Sequence, residues 1–142
     1  MRKTALALGL VAAVAAMPLA QAATVAYKAN LGGAAEVPPV QSAGKGTASI
    51  NVDDVTKQAT WRVEYTGTSG PATAAHVHCG AATGANAGVA VALGTGPTAA
   101  SPMQGSGAMT DAQLADLKAG KCYINIHTDA NKGGELRGQL AP

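Results

Sequence analysis

Apolar and polar positions alternate along much of the chain. Within residues 46–67, apolar side chains recur at every second position on both sides of a short turn: Ala48, Ile50, Val52, Trp61, Val63 and Tyr65. A period of two residues is typical of a strand that buries one face. The pattern therefore predicts a β-hairpin, in which Asp53 and Asp54 serve the turn rather than a calcium site.

The same signals place further strands along the chain. We predict strands at residues 24–29, 73–79 and 88–93, and a rigid extended stretch at 36–40. A closing hairpin is expected where "CYINIHT" and "ELRGQL" flank the turn "DANKGG". That turn has too few oxygen ligands for a calcium loop.

The segment from residue 88 to residue 108 divides into a strand and a loop. In the predicted strand, Val89, Val91 and Leu93 are expected to share one face. Residues 94–108 are rich in Gly, Pro and Ser, and this composition predicts a loop.

One helix is signalled after residue 109. Thr110 is placed as its N-cap, Gln113 completes a capping box, and Met109 and Leu114 are spaced as a hydrophobic staple. Gly120 is expected to end the helix. Many short strands with one short helix predict a small antiparallel β-sandwich or Greek-key barrel.

The first 22 residues have the pattern of a signal peptide. Arg2 and Lys3 precede an apolar run, and Ala20-Gln21-Ala22 fits the small-x-small cleavage pattern. The run is too short to favour a membrane span, so cleavage after Ala22 is expected over an uncleaved anchor. Residues 23–142 would then form a single exported domain, periplasmic or secreted.

Charge argues against two classes of partner. Without residues 1–22 the chain keeps eight of its ten basic residues against eight acidic ones, so its net charge is near zero. No basic stripe remains for nucleic acid or for an anionic membrane surface.

A predicted disulfide orients two of the strands. Cys79 and Cys122 are expected to pair, because exported chains keep such bonds, and thiolate ligation of a metal is the alternative. The bridge would stabilise the fold by roughly 4 kcal/mol in the chain-entropy model. Side chains alternate across a strand, so His76 and His78 lie on the opposite face from Cys79, and His127 on the opposite face from Cys122.

One polar face results from this parity. If Leu136 and Leu140 face the core, the residues on the far side are His76, His78, Asn125, His127, Glu135, Arg137 and Gln139. We call His76, His78 and His127 the histidine triad. Alternate residues of a strand have Cβ atoms about 7 Å apart, which suits two imidazoles on one ion, with the third supplied by a neighbouring strand.

The triad predicts a metal site, with copper favoured and zinc as the alternative, since imidazole suits both ions. Asn125 and Glu135 are expected to orient the rings from behind. The charge of Arg137 opposes a cation unless Glu135 neutralises it. An alternative of equal weight is that the histidines only form structural hydrogen bonds with such neighbours. Catalysis without a metal is a third, less favoured interpretation.

Four ordered motifs resemble the CHRD family, named from chordin: "AAEVPPV", "AAHVHCG", "GKCYINIHT" and "GGELRGQL". The resemblance covers about residues 26–140 and implies an exported, mostly β domain. In animals, chordin binds growth factors of the bone morphogenetic protein class. For a small member such as this one, the resemblance implies no agreed molecular activity.

The order of "HVH", a late histidine and "GGELRG" also resembles copper-zinc superoxide dismutase, a Greek-key β-sandwich or barrel. In that family the corresponding histidines bind copper, which implies that the histidine triad does so here. This chain lacks a fourth histidine to bridge two metals and lacks a zinc loop, and both departures argue against dismutase activity.

Three functions are therefore expected in decreasing order. The first is an exported, non-enzymatic metal-binding protein, the second is a secreted protein-interaction module, and the third is a dismutase-like copper enzyme. The expected partner is a metal ion or an extracytoplasmic protein. Nucleic acid and a membrane span after signal cleavage are not expected, and the oligomeric state is left open.

Overall fold

The computed structural model describes residues 23–142, so the predicted signal peptide lies outside the described residues. The strands are β1 Thr24–Gly32, β2 Lys45–Asp53, β3 Gln58–Thr66, β4 Ala72–Cys79, β5 Val89–Thr95, β6 Met103–Ala108, β7 Cys122–Thr128 and β8 Leu136–Gln139. The helix α1 spans Asp111–Lys118. Within residues 23–142, no helix has the length and apolar character needed to cross a membrane.

The eight strands form one antiparallel sheet in the order β5-β4-β7-β8-β1-β2-β3-β6. The sheet curls into a near-barrel around one apolar core. Strands distant in sequence become neighbours at β4 and β7, at β1 and β8, and at β3 and β6. The predicted fold class, mainly β with one short helix and one disulfide, is confirmed.

The β2–β3 pair confirms the predicted hairpin. Ile50 lies across from Trp61, and both side chains are buried. In the turn, the Asp53 carboxylate accepts hydrogen bonds from the backbone N–H groups of Val55 and Thr56, each at 2.9 Å. These bonds are the turn chemistry expected of an aspartate at this position.

Strand parity about the disulfide is also as predicted. Cys79 and Cys122 are bonded to each other and lie directly across β4 and β7, with Cα atoms 4.2 Å apart. The inner faces of β4, β7 and β8, together with the residue after β8, bury an apolar set: Ala75, Val77, Ile124, Ile126, Leu136 and Leu140. The outer faces of β4 and β7 therefore carry the histidine triad.

Helix α1 begins as predicted. The Thr110 hydroxyl accepts a hydrogen bond from the Gln113 N–H at 3.2 Å, and the Gln113 side-chain oxygen accepts one from the Thr110 N–H at 2.9 Å. Met109, Leu114 and Leu117 are buried beneath the helix. The capping box and the apolar stripe thus fix both the start of the helix and the face that it buries.

The predicted loop at residues 94–108 is wrong. Gly96–Ala99 form a short 3-10 turn, and β6 pairs with β3 along six residues of each strand. Gly105 lies directly across from Trp61, and a Cβ atom at this position would be 2.6 Å from the Trp61 ring. The glycines that predict a loop instead make room for an indole ring inside a strand.

The expected common face of β5 is wrong as well. Val89 is 58 % exposed, whereas Leu93 is 5 % exposed. β5 lies at the edge of the sheet, and its pairing with β4 shifts register twice. Each shift interrupts the simple alternation of side chains.

A buried carboxylate joins three segments at one end of the near-barrel. Glu135 is 1 % exposed and accepts hydrogen bonds from the side chains of Ser42, Ser69, Thr128 and Asn131 at 2.6 to 3.1 Å. Burial alone would raise the pKa of the Glu135 carboxyl. The hydrogen bonds from Ser69, Thr128 and Ser42 outweigh that effect and lower the pKa to about 2.

Replacement of this carboxylate tests its contribution to stability. Glu135→Gln is expected to lower the free energy of unfolding at pH 7 by about 3 kcal/mol. Because the pKa of Glu135 is lowered from 4.5 to about 2 in the folded chain, its contribution is complete above roughly pH 5 and is lost as the pH falls towards 2. Urea unfolding from pH 7 to pH 2 measures both effects.

Glu64→Gln is the matched control, because the Glu64 carboxylate pairs with Arg62 on the surface and is half-exposed. We expect a change of no more than about 1 kcal/mol in that variant. Equal pH dependence of unfolding in Glu135→Gln and in the unmodified chain would contradict the prediction.

Candidate metal centre

The histidine triad lies on the outer face of two neighbouring strands. His76 and His78 come from β4, and His127 comes from β7, where it pairs with Ala74. His78 is 8 % exposed, and the other two imidazoles are half-buried. Strand pairing alone therefore brings three imidazoles to one patch of the sheet.

The three rings converge. His76 Nδ1 lies 3.0 Å from His127 Nε2. The ring centroid of His78 is 5.6 Å from that of His76 and 6.3 Å from that of His127. One ring nitrogen from each residue can be chosen so that all three lie within 4.8 Å of one another. The structure thus brings together every residue of the predicted triad.

Backbone carbonyl groups hold two of the rings in place. His78 Nδ1 lies 2.9 Å from the Ala87 carbonyl oxygen, and His127 Nδ1 lies 2.9 Å from the Lys132 carbonyl oxygen. A carbonyl only accepts, so in both rings Nδ1 carries the proton. The neutral ring then has a lone pair on Nε2, which is the form in which histidine binds a metal.

Burial also favours the neutral form of two of the rings. Burial lowers the pKa of His76, and the nearby His127 and His78 rings lower it further. Burial likewise lowers the pKa of His78. Metal ions bind neutral imidazole, so these environments suit ligation.

Tyr123 separates Arg137 from the triad. Its ring stacks on His78, with centroids 4.8 Å apart and planes 5° from parallel. The guanidinium carbon of Arg137 lies 3.5 Å from the centroid of the same ring. Since β7 lies between β4 and β8 in the sheet, the tyrosine ring stands between the histidine and the cation.

Arg137 binds the loop that follows β4. It donates hydrogen bonds to the Asn86 side-chain oxygen at 2.9 Å and to the Ala85 carbonyl at 2.6 Å. The Tyr123 hydroxyl accepts the Ala87 N–H at 3.1 Å. These contacts position the same loop whose Ala87 carbonyl fixes His78. Arg137 is thus a support for the covering loop, and its positive charge lowers the pKa of Glu36 and of His78.

The expectation that Glu135 orients a histidine is wrong. The Glu135 carboxylate is engaged by Thr128 and by serine and asparagine side chains away from the triad. Adjacent strand residues face opposite sides, so a side chain directed at Thr128 is turned away from His127. The chain turns at Gly134, whose φ is +130°, and β8 begins only at Leu136.

Glu36 is a member of this face that sequence reasoning missed. It is 5 % exposed, and its carboxylate accepts a hydrogen bond from the Asn125 side-chain NH₂ at 2.9 Å. Burial raises the pKa of Glu36, while Asn125 and Arg137 oppose that rise. The signal available in the sequence was an acidic residue in "AAEVPPV", one of the motifs of the family resemblance.

The glycine before Glu135 is required by this packing. A Cβ atom on Gly134 would overlap the Asn125 amide nitrogen and the Glu36 carboxylate, and its φ of +130° disfavours other residues. Gly133, its neighbour, has nothing within 4 Å of the equivalent position. The two adjacent glycines therefore differ sharply in their tolerance of a side chain.

Gly134→Ala is expected to lower the free energy of unfolding by at least about 2 kcal/mol, through backbone strain and overpacking together. Gly133→Ala is the matched control and is expected to change it by no more than about 1 kcal/mol. Chemical unfolding followed by tryptophan fluorescence measures both variants. Similar values for the two substitutions would show that the Gly134 packing is not needed.

A family model described as CHRD domain matches residues 27–140. The match reaches from β1 to the residue after β8 and includes the whole histidine triad. No curated protein and no solved structure matches the chain.

Proposed function

The chain belongs to the CHRD family, and on that premise we propose that it is an exported module that binds a metal ion at His76, His78 and His127. Copper is the favoured ion and zinc the alternative. The observation that carries the proposal is the convergence of three imidazole nitrogens within 4.8 Å of one another. The proposed activity is binding without catalysis.

The donor set fits such an ion. Nitrogens bound to one ion at about 2.0–2.1 Å lie roughly 3.3 Å apart in tetrahedral geometry. The His76 Nδ1–His127 Nε2 separation of 3.0 Å, a hydrogen bond when no ion is bound, is already close to that value. Ion binding would move the His76 proton to its other ring nitrogen, and rotation of His78 would bring in the third nitrogen. Two rings are held by carbonyl groups behind them, which is the support typical of metal-binding histidines.

The preference for copper follows from general affinity. A nitrogen site binds Cu²⁺ more tightly than Zn²⁺, and imidazole is a good ligand for both ions. The two half-buried rings leave the triad accessible from outside, so an ion can enter without unfolding of the sheet.

Export is part of the proposal. CHRD domains are typically extracytoplasmic, and the Cys79–Cys122 disulfide is of a kind that persists in oxidising compartments. An extracytoplasmic location would place the triad in an oxidising compartment, away from the thiol reductants of the cytosol.

A protein-interaction module with structural histidines is the second candidate. It is favoured by the hydrogen bonds of His78 and His127, which attach β4 and β7 to the loops around Ala87 and Lys132. Such bonds stabilise a binding surface whether or not a metal is present. The two candidates differ in whether ion affinity depends on the triad.

Titration with Cu²⁺ and with Zn²⁺ tests the proposal on the purified, metal-stripped chain with its disulfide intact. We expect one ion per chain, with a Kd of about 1 μM or tighter. Each of His76→Ala, His78→Ala and His127→Ala is expected to weaken binding at least roughly tenfold, because each removes one of three ligands.

Lys132→Ala is the matched control. The Lys132 side chain is exposed, and only its backbone carbonyl contacts His127. The ion affinity of the Lys132→Ala variant is therefore expected to equal that of the unmodified chain. Circular dichroism of every variant shows whether the fold is retained. Absent binding, or binding that is indifferent to all three histidine substitutions, would favour the protein-interaction module.

A further inference from the structure

The Asn125 side chain is held in one orientation at the centre of the histidine face. Asn125 pairs with His76 across β4 and β7 and is 3 % exposed. Its NH₂ group donates to the Glu36 carboxylate at 2.9 Å and to the Gly133 carbonyl at 3.3 Å. Both partners are acceptors, so they fix which end of the amide is nitrogen and direct the oxygen, Oδ1, away from them.

Two buried acceptors on this face lack a donor. Among residues 23–142, the buried side-chain polar atoms with no hydrogen-bond partner are Trp61 Nε1, His78 Nε2 and Asn125 Oδ1. The last two belong to the same outer face, where Asn125 pairs with His76, two residues before His78 in β4. Leaving one such atom unpaired typically costs about 1–3 kcal/mol.

While the His78 ring is neutral, the part of the chain that the structure describes supplies a hydrogen-bond donor to neither atom. His78 Nδ1 carries the ring proton because it faces the Ala87 carbonyl, so neutral Nε2 offers only a lone pair. Asn125 Oδ1 likewise offers only lone pairs. Two buried acceptor atoms without a hydrogen-bond donor are stabilised when one cation binds both of them.

We propose that Asn125 Oδ1 is the fourth donor of the metal site, that it binds the ion directly, and that Glu36 is the residue that positions it. This inference rests on the proposed function of the triad. It makes the site three imidazole nitrogens and one amide oxygen, contributed by β4 and β7 and supported from the Glu36 segment. A neutral oxygen donor suits Cu²⁺ and Zn²⁺ better than it suits Cu⁺.

In this arrangement Glu36 and Gly134 serve the metal site as well as the packing of the fold. The Glu36 carboxylate holds the nitrogen end of the Asn125 amide, and the absence of a side chain at Gly134 leaves room for that contact. Without Glu36, only the longer 3.3 Å contact with the Gly133 carbonyl fixes which end of the amide faces the ion, and the nitrogen end is not a ligand.

The first test compares ion affinities of the full, disulfide-intact chain with those of Asn125→Leu, a substitution of similar volume. We expect the affinity for Zn²⁺ and for Cu²⁺ to fall roughly 10- to 100-fold, whereas the affinity for Cu⁺ falls by no more than about threefold, since a soft ion gains little from an amide oxygen. The electron paramagnetic resonance spectrum of bound Cu²⁺ should change with the loss of the oxygen ligand.

A second pair of variants distinguishes loss of the oxygen ligand from loss of the folded structure. Asn125→Asp alone sets two carboxylates against each other, and it is expected to weaken both folding and binding. The double variant Asn125→Asp/Glu36→Gln restores one carboxylate and one amide with the hydrogen bond reversed, with loss only of the longer 3.3 Å contact to the Gly133 carbonyl. It should refold the site and bind Zn²⁺ at least as tightly as the unmodified chain, because a carboxylate oxygen replaces the amide oxygen.

The outcomes distinguish failure of the proposed metal site from failure of the proposed role of Asn125. An unmodified chain that binds no ion at the triad overturns the proposed function. Triad-dependent binding with the same affinities and the same Cu²⁺ spectrum in folded Asn125→Leu overturns only the role of Asn125. Selective loss of divalent ions in Asn125→Leu, with recovery in the double variant, supports both Asn125 as donor and Glu36 as its positioning residue.

Discussion

The pairing of β4 with β7, bonded through Cys79 and Cys122, is the constraint on which the rest of the molecule depends. The two cysteines lie directly across from each other in the register. Because side chains alternate along both strands, that one alignment sends the apolar residues inward and the histidines outward. A shift of one residue in β7 would turn His127 inward and expose the isoleucines of that strand, and the same shift in β4 would turn His76 and His78 inward. The core and the candidate metal centre are therefore two faces of a single register.

The outer face gains its character from loops that the sheet brings together. The carbonyls of Ala87 and Lys132 fix two rings, and Tyr123 carries the Arg137 guanidinium on the side away from His78. Glu36 reaches Asn125 from a segment 89 positions earlier in the chain. A sheet surface that would ordinarily meet water is thus enclosed on several sides by backbone acceptors and oriented polar groups. Such an enclosure favours the neutral form of His76 and His78, because burial lowers the pKa of both rings.

Two buried carboxylates differ in the hydrogen-bond donors around them and in the direction of their pKa shifts. Glu135 is surrounded by hydroxyl and amide donors that stabilise its charge, and it joins loops to the end of β7. Glu36 receives fewer donors, and burial raises its pKa. Sequence parity assigned the first to the histidine face and overlooked the second. For Glu135 the difference arises because β8 begins only at Leu136, so Glu135 lies outside the regular alternation on which parity depends.

The sequence by itself determined the alternation that defines β2, β3, β4 and β7, the capping box of α1, the cysteine pair and the shared face of the three histidines. These features depend on residues close in the chain or on the two-residue period of a strand, so local physics is enough to predict them. Tertiary structure alone decided the strand character of residues 103–108. Gly105 is needed there because the Trp61 ring of the neighbouring strand occupies the space of a Cβ atom. It also decided the partners of Glu36, Glu135 and Arg137, since each binds atoms from loops whose paths depend on the closure of the whole sheet. Contacts of that kind have no period along the sequence, and only the folded chain brings them together.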